Sequence, residues 1–399
     1  MLRLVTRPMS RRMRNAYRWF DERTGSTELL HKGLYEAVPE KGGWAYTLGS
    51  ATLVLILLQL FTGIFLLLVY SPSFAEGWST LKFLQDSDRF GSWVRGMHLW
   101  GAYVLILVIG LHMLRTFFSA SYKRPRELNW VTGAILFFLV MGLAITGAML
   151  PMDQAAYWTL VVVTNIPHYI PFLGDGMRQL WRGSSDFVGQ VSLTRTFAIH
   201  IWVLPFLMFT FIGAHLYLLR RHGEFGSWVN YPTASTDPER AEHELGERIR
   251  NAEPPYPARR IERQWSVPRT TVEFFPTQLF KDTAVSLLFI TIIFVFGYLV
   301  GAPLSEQANP ATLTYVPTPE WFFLPLDQVL VLTPQTYLIF AGVVVLIGLA
   351  ATCMVLLPFL DRSHERSPLR RPEVLLPGLF LTGLLILLTV LGANRLYNL

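Results

Sequence analysis

Seven apolar stretches, each long enough to cross a bilayer, constrain the fold of this chain more than any other sequence feature. A membrane-spanning helix needs ~20 predominantly apolar residues, and such runs lie at about 44–70, 96–118, 130–150, 197–219, 283–301, 336–357 and 374–394. Alternating apolar strands, which a membrane barrel would need, are absent, and helices satisfy every backbone hydrogen bond in lipid. Only 16% of the residues are charged, well below the proportion that is usual in soluble domains. The sequence therefore predicts an all-α, polytopic membrane protein with seven transmembrane helices.

Lysine and arginine residues are distributed unevenly between the two sides of these spans. Residues 1–43 carry nine of the 34 and residues 219–282 carry ten, whereas the loop 302–333 carries none. Because basic residues mark the cytoplasmic side, we expect a multi-pass protein of a bacterial cytoplasmic membrane with its N-terminus in the cytoplasm. The basic residues flank the spans and do not form one basic face, so nucleic-acid binding is not expected.

A polar stretch rich in proline and arginine divides the chain. Residues 223–273 contain the run PPYP at 254–257 and separate four predicted spans from three. We interpret residues 1–43 as a cytoplasmic N-terminal segment, 44–222 as a four-helix front part, 223–273 as a cytoplasmic linker and 274–399 as a three-helix rear part.

Four histidines lie inside the apolar spans, His98 and His112 on the second and His200 and His215 on the fourth. Ionisable residues at membrane depth are costly and are functional candidates by default. A step of 14 residues covers about 21 Å of helix and a step of 15 about 22 Å, so each helix presents two imidazoles on broadly one face at two depths. The two helices run in the same direction, so the four histidines form two facing pairs. Such pairs suit two six-coordinate hemes better than a tetrahedral zinc site.

Glycines on the other two front helices repeat the histidine step. Gly49 and Gly63 are 14 residues apart on the first span, and Gly133 and Gly147 are 14 apart on the third. A missing side chain permits the close backbone approach that a porphyrin needs. The alternative is helix–helix packing through small residues, but two pairs that match the histidine step favour heme.

Three arginines at the helix ends are candidates for binding heme propionates. Arg95 precedes His98 by three residues and Arg195 precedes His200 by five. Arg115 follows His112 by three residues. Arginine is well suited to bidentate carboxylate binding. Each one, taken alone, could equally extend from the helix end to the lipid headgroups.

Several motifs resemble those of the cytochrome b/b6 family of bc1 and b6f complexes. They are RGMH (95–98), HMLR (112–115), KRPRELNWVTG (123–133), TGAMLPMDQAAYW (146–158), LTRTFAIH (193–200) and PEWF (319–322). The resemblance covers nearly the whole chain. The seven-helix layout is similar to a diheme b6-like part and a subunit IV-like part, with its quinol-site loop, joined by the 223–273 linker. The eight-helix mitochondrial form is less similar.

This resemblance implies the diheme cytochrome b subunit of an oxidoreductase that passes electrons from quinol to cytochrome c or a plastocyanin-type acceptor. Quinol would be oxidised at an outer site, one electron leaving through a Rieske iron–sulphur protein. The other electron would cross from the His98/His200 heme to the His112/His215 heme and reduce quinone at an inner site, with proton translocation. The chain would act only with its Rieske and c-type cytochrome partners, as a homodimer in membrane lipid.

The resemblance also assigns residues to the two quinone sites. It makes Glu320 the acceptor of a quinol proton, a role that fits a carboxylate in a loop without basic residues, where the pKa can be raised. Taken alone, Glu320 could equally be a carboxylate at the N-terminal end of a helix. The other outer-site residues that it implies are Pro319, Trp321, Phe322, Tyr157, Trp158 and Thr159. For the inner site it implies Lys281, Asp282 and Arg220, with Trp130 beside a heme propionate.

Four positions depart from the family's pattern. Met152 replaces the tryptophan that usually follows LP, and Phe322 replaces a tyrosine, so a hydroxyl near the quinol is lost. Asp327 lies where an aromatic residue is common, and we expect it to touch a proton exit or the pocket wall. Thr47 occupies the position of the cysteine that binds an extra heme covalently in b6-type proteins, so no third, covalent heme is expected.

Three other classes of protein compete with this interpretation. A diheme anchor for a dehydrogenase would share the histidines, but would not need the Pro319-Glu320-Trp321 motif or the rear helices. A transporter predicts broken helices and charged residues at the membrane midplane, which the sequence does not contain. A purely structural membrane protein leaves the matched histidine and glycine steps unexplained.

Overall fold

The computed structural model describes residues 10–35, 37–39, 43–170, 172–183, 187–222, 271–312, 314–333, 337–363 and 368–397. Within these ranges seven helices are long and apolar enough to cross a membrane: Trp44–Leu67, Arg89–Phe118, Glu127–Ala148, Gln190–Arg221, Phe274–Leu299, Phe340–Leu360 and Pro372–Leu396. They confirm the seven predicted spans. The second, fourth and fifth begin well before residues 96, 197 and 283, because more polar residues continue each helix beyond its apolar part. Most of the predicted linker, residues 223–270, lies outside the described residues.

The helices are numbered here in chain order. They are α1 Arg11–Thr24, α2 Ser26–Leu34, α3 Leu48–Leu67, α4 Gly77–Ser87, α5 Arg89–Phe118, α6 Glu127–Ala148, α7 Gln154–Asn165, α8 Gly174–Arg182, α9 Gln190–Ala198, α10 Leu204–His222, α11 Leu279–Leu299, α12 Leu324–Leu332, α13 Tyr337–Leu360 and α14 Pro372–Tyr397. Short 3₁₀ turns lie at Trp44–Thr47, Ile166–Tyr169, Trp321–Phe323 and Pro368–Arg370, and π turns lie at Ile199–Val203 and Phe274–Gln278.

The chain separates into two compact units. The smaller contains Met1–Thr47 and Trp228–Val285, and the larger contains Leu48–Ser227 and Ser286–Leu399. In the smaller unit, strands β1 (Ala37–Pro39) and β2 (Thr271–Glu273) pair antiparallel with Val38 opposite Val272. This sheet adds to the helices that the sequence predicts and places the last predicted linker residues in a strand. It lies outside the spans, where water can complete its hydrogen bonds.

The larger unit contains the front bundle of four spans. Helix α3 packs on α5, α6 packs on α10, and α5 contacts α6. The second half of α11 crosses α5 where two glycines meet: a Cβ at Gly96 would overlap the Gly297 carbonyl, and a Cβ at Gly297 would lie 2.9 Å from the Met97 nitrogen. Glycine is required at this crossing because any side chain would push the two backbones apart.

A buried charged cluster ties the α5–α6 loop of the front part to the α13–α14 loop of the rear part. Asp361 accepts from Tyr122 at 2.5 Å and pairs with Lys123 at 3.0 Å and Arg371 at 3.3 Å. Burial alone would raise the pKa of Asp361, but the hydrogen bonds from Tyr122 and Lys123 bring it below its usual range. Removing one partner would leave buried charges uncompensated, which is strongly destabilising.

Candidate functional site

The structure brings the four span histidines together as the two predicted pairs. The rings of His98 and His200 lie 6.5 Å apart between centroids, at 77° to each other. His112 lies close enough to His215 for an electrostatic interaction between them. We call His98/His200 the outer pair and His112/His215 the inner pair, after their predicted sides of the membrane.

The donor set fits hemes and does not fit a zinc site. In the described part of the chain, no group of three or more histidine, cysteine, aspartate or glutamate side chains could hold a metal ion. A structural zinc takes four protein ligands, whereas a heme iron takes only axial ligands from the protein. Metal–imidazole bonds are ~2 Å long, so two of them, plus the distance from each nitrogen to its ring centre, match the outer-pair separation.

Each of the four matched glycines faces one of the four imidazoles. A Cβ added at Gly49, Gly63, Gly133 or Gly147 would lie 3.2, 3.3, 3.1 or 2.9 Å from Cε1 of His112, His98, His215 or His200, respectively. The sequence predicts these glycines as space for a porphyrin. The structure shows a more local reason for them, since each one admits the edge of a histidine ring.

A threonine precedes three of these glycines and contacts the Nδ1 atom of the same histidine. Thr62 lies 2.8 Å from His98, Thr146 lies 3.0 Å from His200 and Thr132 lies 3.0 Å from His215. Each hydroxyl also donates to a carbonyl of its own helix. A hydroxyl has one proton, so it accepts from the Nδ1–H group, and the imidazole keeps its lone pair on Nε2. That nitrogen is then available to a metal, with the ring orientation fixed by its neighbour.

The fourth position differs. Leu48 precedes Gly49, so no hydroxyl is offered to His112 from that position. The four glycines are predicted from the sequence, whereas the three threonines are not. The signal was present in the sequence as the dipeptide Thr-Gly, repeated at 62–63, 132–133 and 146–147.

A π turn explains the unequal histidine steps. His200 lies in the turn Ile199–Val203, which joins α9 to α10. A π turn accommodates one extra residue in a helix, equivalent to about 100° of rotation. The 15-residue step from His200 to His215 therefore presents the imidazoles as the 14-residue step in α5 does.

The predicted propionate arginines make protein contacts in the structure. Arg95 is buried and donates to the carbonyl oxygens of Ala302 at 2.9 Å and Pro303 at 2.7 Å. Arg195 donates to the Gln179 and Leu180 carbonyls at the end of α8, and Arg115 lies in the last turn of α5. Their binding to propionates stays a prediction.

Trp130 is buried against the rear part of the chain. Its indole N–H donates to the Met354 carbonyl on α13 at 2.8 Å, and its ring packs on Tyr122 at 5.3 Å. Its predicted position beside a propionate stays a prediction.

The predicted outer-site helix is α7, and a loop of the rear part is attached to its start. Asp153 caps α7 by accepting from Ala156 and also accepts from the Ser305 nitrogen, both at 2.9 Å. Met152, at the departure from the family pattern, is fully buried beside Tyr157, and its φ of 55° is left-handed. Its carbonyl accepts from the Ala308 nitrogen at 3.1 Å.

Tyr157, Trp158 and Thr159 lie together on α7, as predicted. Tyr157 is buried, and its ring contacts Phe74 at 6.3 Å and Trp158 at 5.2 Å. The Trp158 indole nitrogen is buried and has no hydrogen-bond partner among the described residues. A buried N–H without a partner is costly, so this donor is suited to an acceptor on a ligand.

Glu320 begins the 3₁₀ turn Trp321–Phe323, directly after Pro319. Its carboxylate accepts a hydrogen bond from the Tyr103 hydroxyl on α5. Burial raises the pKa of Glu320, the hydrogen bond from Tyr103 opposes that rise, and the nearby charge of Asp153 adds to it. Tyr103 was missed in the sequence because a tyrosine in an apolar span carries no distinctive signal.

Asp327, on α12, pairs with Arg395 at the end of α14. The two helices pack closely at Gly392, where an added Cβ would lie only 3.2 Å from the Leu324 Cβ. Burial raises the pKa of Asp327, and Arg395 partly offsets the rise. The pairing supplies a structural role for Asp327, and its effect on proton exit stays a prediction.

The predicted inner-site residues fall in different units. Lys281 and Asp282 lie in the first turn of α11, where Asp282 accepts from Gln278 at 2.8 Å, and Arg220 lies near the end of α10. A common quinone site for these three residues stays a prediction.

Comparisons with known proteins identify the class. The family model described as cytochrome b/b6/petB matches residues 35–223, and the model described as cytochrome b(C-terminal)/b6/petD matches residues 307–398. The chain belongs to the cytochrome b/b6 family. As a cytochrome b it is a heme b protein, and its seven spans make it a multi-pass membrane protein.

Relatives resemble the front part of the chain. The menaquinol:cytochrome c reductase cytochrome b subunit of Bacillus subtilis (strain 168) is 37% identical over 53% of this chain and 97% of the relative. Cytochrome b6 of Synechococcus sp. (strain JA-3-3Ab) is 37% identical over 54% of this chain and 99% of the relative. A solved structure titled "Hyperthermophilic respiratory Complex III" covers 94% of this chain and 90% of its own, with a TM-score of 0.75 and 26% identity. That match extends over both front and rear parts.

Proposed function

We propose that this chain is the diheme cytochrome b subunit of a quinol:cytochrome c or plastocyanin-type oxidoreductase in a bacterial cytoplasmic membrane. The observation that carries the proposal is the combination of two imidazole pairs in one bundle with Glu320 in the loop before α12. The relative named menaquinol:cytochrome c reductase cytochrome b subunit supports it. So does the likeness to a respiratory Complex III along nearly the whole chain.

The histidine pairs would hold the two non-covalent hemes. His98 with His200, and His112 with His215, would hold the hemes through their Nε2 atoms, while the facing glycines leave room for the imidazole rings. Bound hemes would supply one-electron carriers at two depths of the membrane. The threonine hydroxyls keep the Nδ1 proton in place, so that the ligands stay neutral and oriented.

The outer site would take a quinol and release a quinone, two protons and two electrons. Glu320 would accept one proton, because a carboxylate whose pKa is raised toward neutrality is an effective base there. Pro319 precedes Glu320, and Phe322 lies in the turn that follows it. Tyr157 and Trp158 would line the pocket, where the Trp158 indole N–H has no partner among the described residues. One electron would pass to a Rieske iron–sulphur partner and then to a c-type cytochrome, and the other would cross the membrane within this subunit.

The inner site would return electrons and protons to a quinone. Lys281 and Asp282 offer a proton donor and acceptor in one helical turn, and Arg220 offers a positive charge. Proton release at one side and uptake at the other would couple turnover to proton translocation. We propose that the working unit is a homodimer in lipid, with the N-terminus in the cytoplasm.

The test is quinol turnover by the complex purified through a tag on this chain. We expect reduction of a soluble c-type cytochrome by a short-chain naphthoquinol or benzoquinol, and a large but incomplete loss of this activity in Glu320→Gln, with residual turnover that can still be measured and the heme spectrum unchanged. A complex that holds heme but reduces no cytochrome c with either quinol would contradict the proposal and favour a dehydrogenase anchor.

A further inference from the structure

One contact outside the histidine pairs links helix α5 of the front bundle to Glu320, which precedes the turn Trp321–Phe323. The Tyr103 hydroxyl donates to the Glu320 carboxylate. The ring of the same tyrosine packs edge-on against Phe322, with centroids 5.8 Å apart at 74°. Tyr103 therefore touches both the expected proton acceptor and the position at which the sequence departs from the family's tyrosine.

The surroundings of Tyr103 hold it in place. Its ring packs at 5.4 Å against Trp100, which donates to the Gly301 carbonyl at 2.9 Å and packs on Phe296 at 4.8 Å. On another side of α5, Gln59 donates to the His98 carbonyl at 3.0 Å. The hydroxyl thus comes from a helix that is fixed on two sides, and a rigid support is what an oriented catalytic group needs.

We propose that Tyr103 is a positioning residue of the outer quinol site: it orients the Glu320 carboxylate and supplies, from α5, the hydroxyl that Phe322 lacks. This inference rests on the proposed function, because it gives Tyr103 a role in quinol oxidation. A hydrogen bond to the charged form of an acid favours that form. Tyr103 therefore keeps Glu320 ready to accept a proton, against the effects of burial and of Asp153, which both favour the protonated acid.

The sign of the pH effect follows from these contacts. If Glu320 must be ionised to accept the quinol proton, turnover falls as the pH drops through the pKa of Glu320. Removal of the Tyr103 hydroxyl destabilises the carboxylate and raises that pKa. The acidic limb of the rate profile should therefore move upward by about one to two pH units in Tyr103→Phe.

The experiment uses the purified complex with full-length chain, and follows kcat and KM for quinol between acidic and alkaline pH. We expect Tyr103→Phe to lower kcat about tenfold at neutral pH, with KM little changed and with the heme spectrum and content of the wild type. The matched control is Tyr298→Phe, since Tyr298 is a tyrosine on α11 that is 71% exposed. It should leave the profile unchanged.

Two double variants separate positioning from a general structural effect. In a Glu320→Gln background, Tyr103→Phe should have no further effect, because its target is gone. In Tyr103→Phe/Phe322→Tyr, the hydroxyl returns from the neighbouring position, and the acidic limb should move back. Two results would overturn the inference. One is an unchanged pH profile of kcat in Tyr103→Phe. The other is a fall in kcat, when Tyr103→Phe is added to Glu320→Gln, as large as the fall that Tyr103→Phe causes in the wild type. Absence of quinol turnover in the wild type would instead contradict the proposed function itself.

Discussion

The outer and inner histidine pairs are built on the same helices, but their imidazoles are not held in the same way. In the outer pair, Thr62 and Thr146 each contact an Nδ1 atom. In the inner pair, Thr132 does so for His215, while Leu48 takes the corresponding position for His112. Partners of Nδ1 orient a ligating histidine and raise its basicity. The helical step thus places the four imidazoles, and the residue before each glycine determines whether a side-chain hydroxyl from that position contacts Nδ1.

The largest expected effect is the loss of one ligand from either pair. His98→Ala should leave one heme per chain, on the inner pair, and His112→Ala should leave one heme on the outer pair. Both variants should lose quinol turnover, because transfer across the membrane needs both depths. Extractable heme per polypeptide measures this. Loss of both hemes from either single variant would break the description of two independent pairs.

Closure of the space at a glycine should have the next largest effect. Gly147→Ala adds a methyl group 2.9 Å from the His200 ring, and overpacking of this kind costs about 1–3 kcal/mol. We expect lower heme occupancy of the outer pair, and a smaller loss at the inner pair in Gly49→Ala, where the distance is 3.2 Å. The control is Gly110→Ala on α5, where an added Cβ would meet no atom of another described part of the chain within 4 Å. Equal losses in all three variants would remove the proposed role of the glycines.

The threonines should tune affinity without abolishing binding. Thr146→Val keeps the shape and removes the hydroxyl, so heme affinity of the outer pair should fall about 10- to 100-fold. Thr210→Val is the matched control, since the exposed Thr210 donates to the Phe206 carbonyl of its own helix.

The reverse change sharpens the same comparison. Leu48→Thr offers His112 the missing hydroxyl and should tighten heme binding at the inner pair, as measured by heme transfer to apomyoglobin. Faster heme loss in Leu48→Thr than in the wild type would mean that the apolar residue is required there for packing.

The smallest expected effect concerns Thr47, which precedes Leu48 and is fully buried, with its hydroxyl bonded to the Trp44 carbonyl at 2.7 Å. With no thiol at this position, we expect no heme to remain on the chain in denaturing electrophoresis. A heme-stained band at the mass of the polypeptide would contradict this expectation.

Hydropathy and spacing were sufficient to predict the spans, the histidine pairs and the four glycines, because each follows from membrane thickness and helix geometry. The role of Gly147 was only half predicted, since the sequence cannot show that its neighbour is the ring of His200. The π turn at His200 was not predicted, because an extra residue in a helix leaves no local compositional signal.

The contacts of the outer site depend on tertiary structure and were mostly missed. Arg95 donates to the carbonyls of Ala302 and Pro303, more than 200 positions later in the chain, and the sequence does not indicate these contacts; its predicted binding to a propionate stays a prediction. Tyr103 and Glu320 are similarly distant in sequence. Pairings between the front and rear parts of the chain cannot be inferred from the period of one helix.

The most direct test of the central claim is the reduced-minus-oxidised absorption spectrum of the purified complex, with extractable heme quantified per copy of this chain. Two imidazole pairs predict two non-covalent hemes b per polypeptide. Replacement of one histidine should remove one heme, and both should be lost only when one histidine of each pair is replaced. One heme in the wild type, or none in a folded, membrane-inserted chain, would contradict the assignment of His98/His200 and His112/His215 as two heme sites.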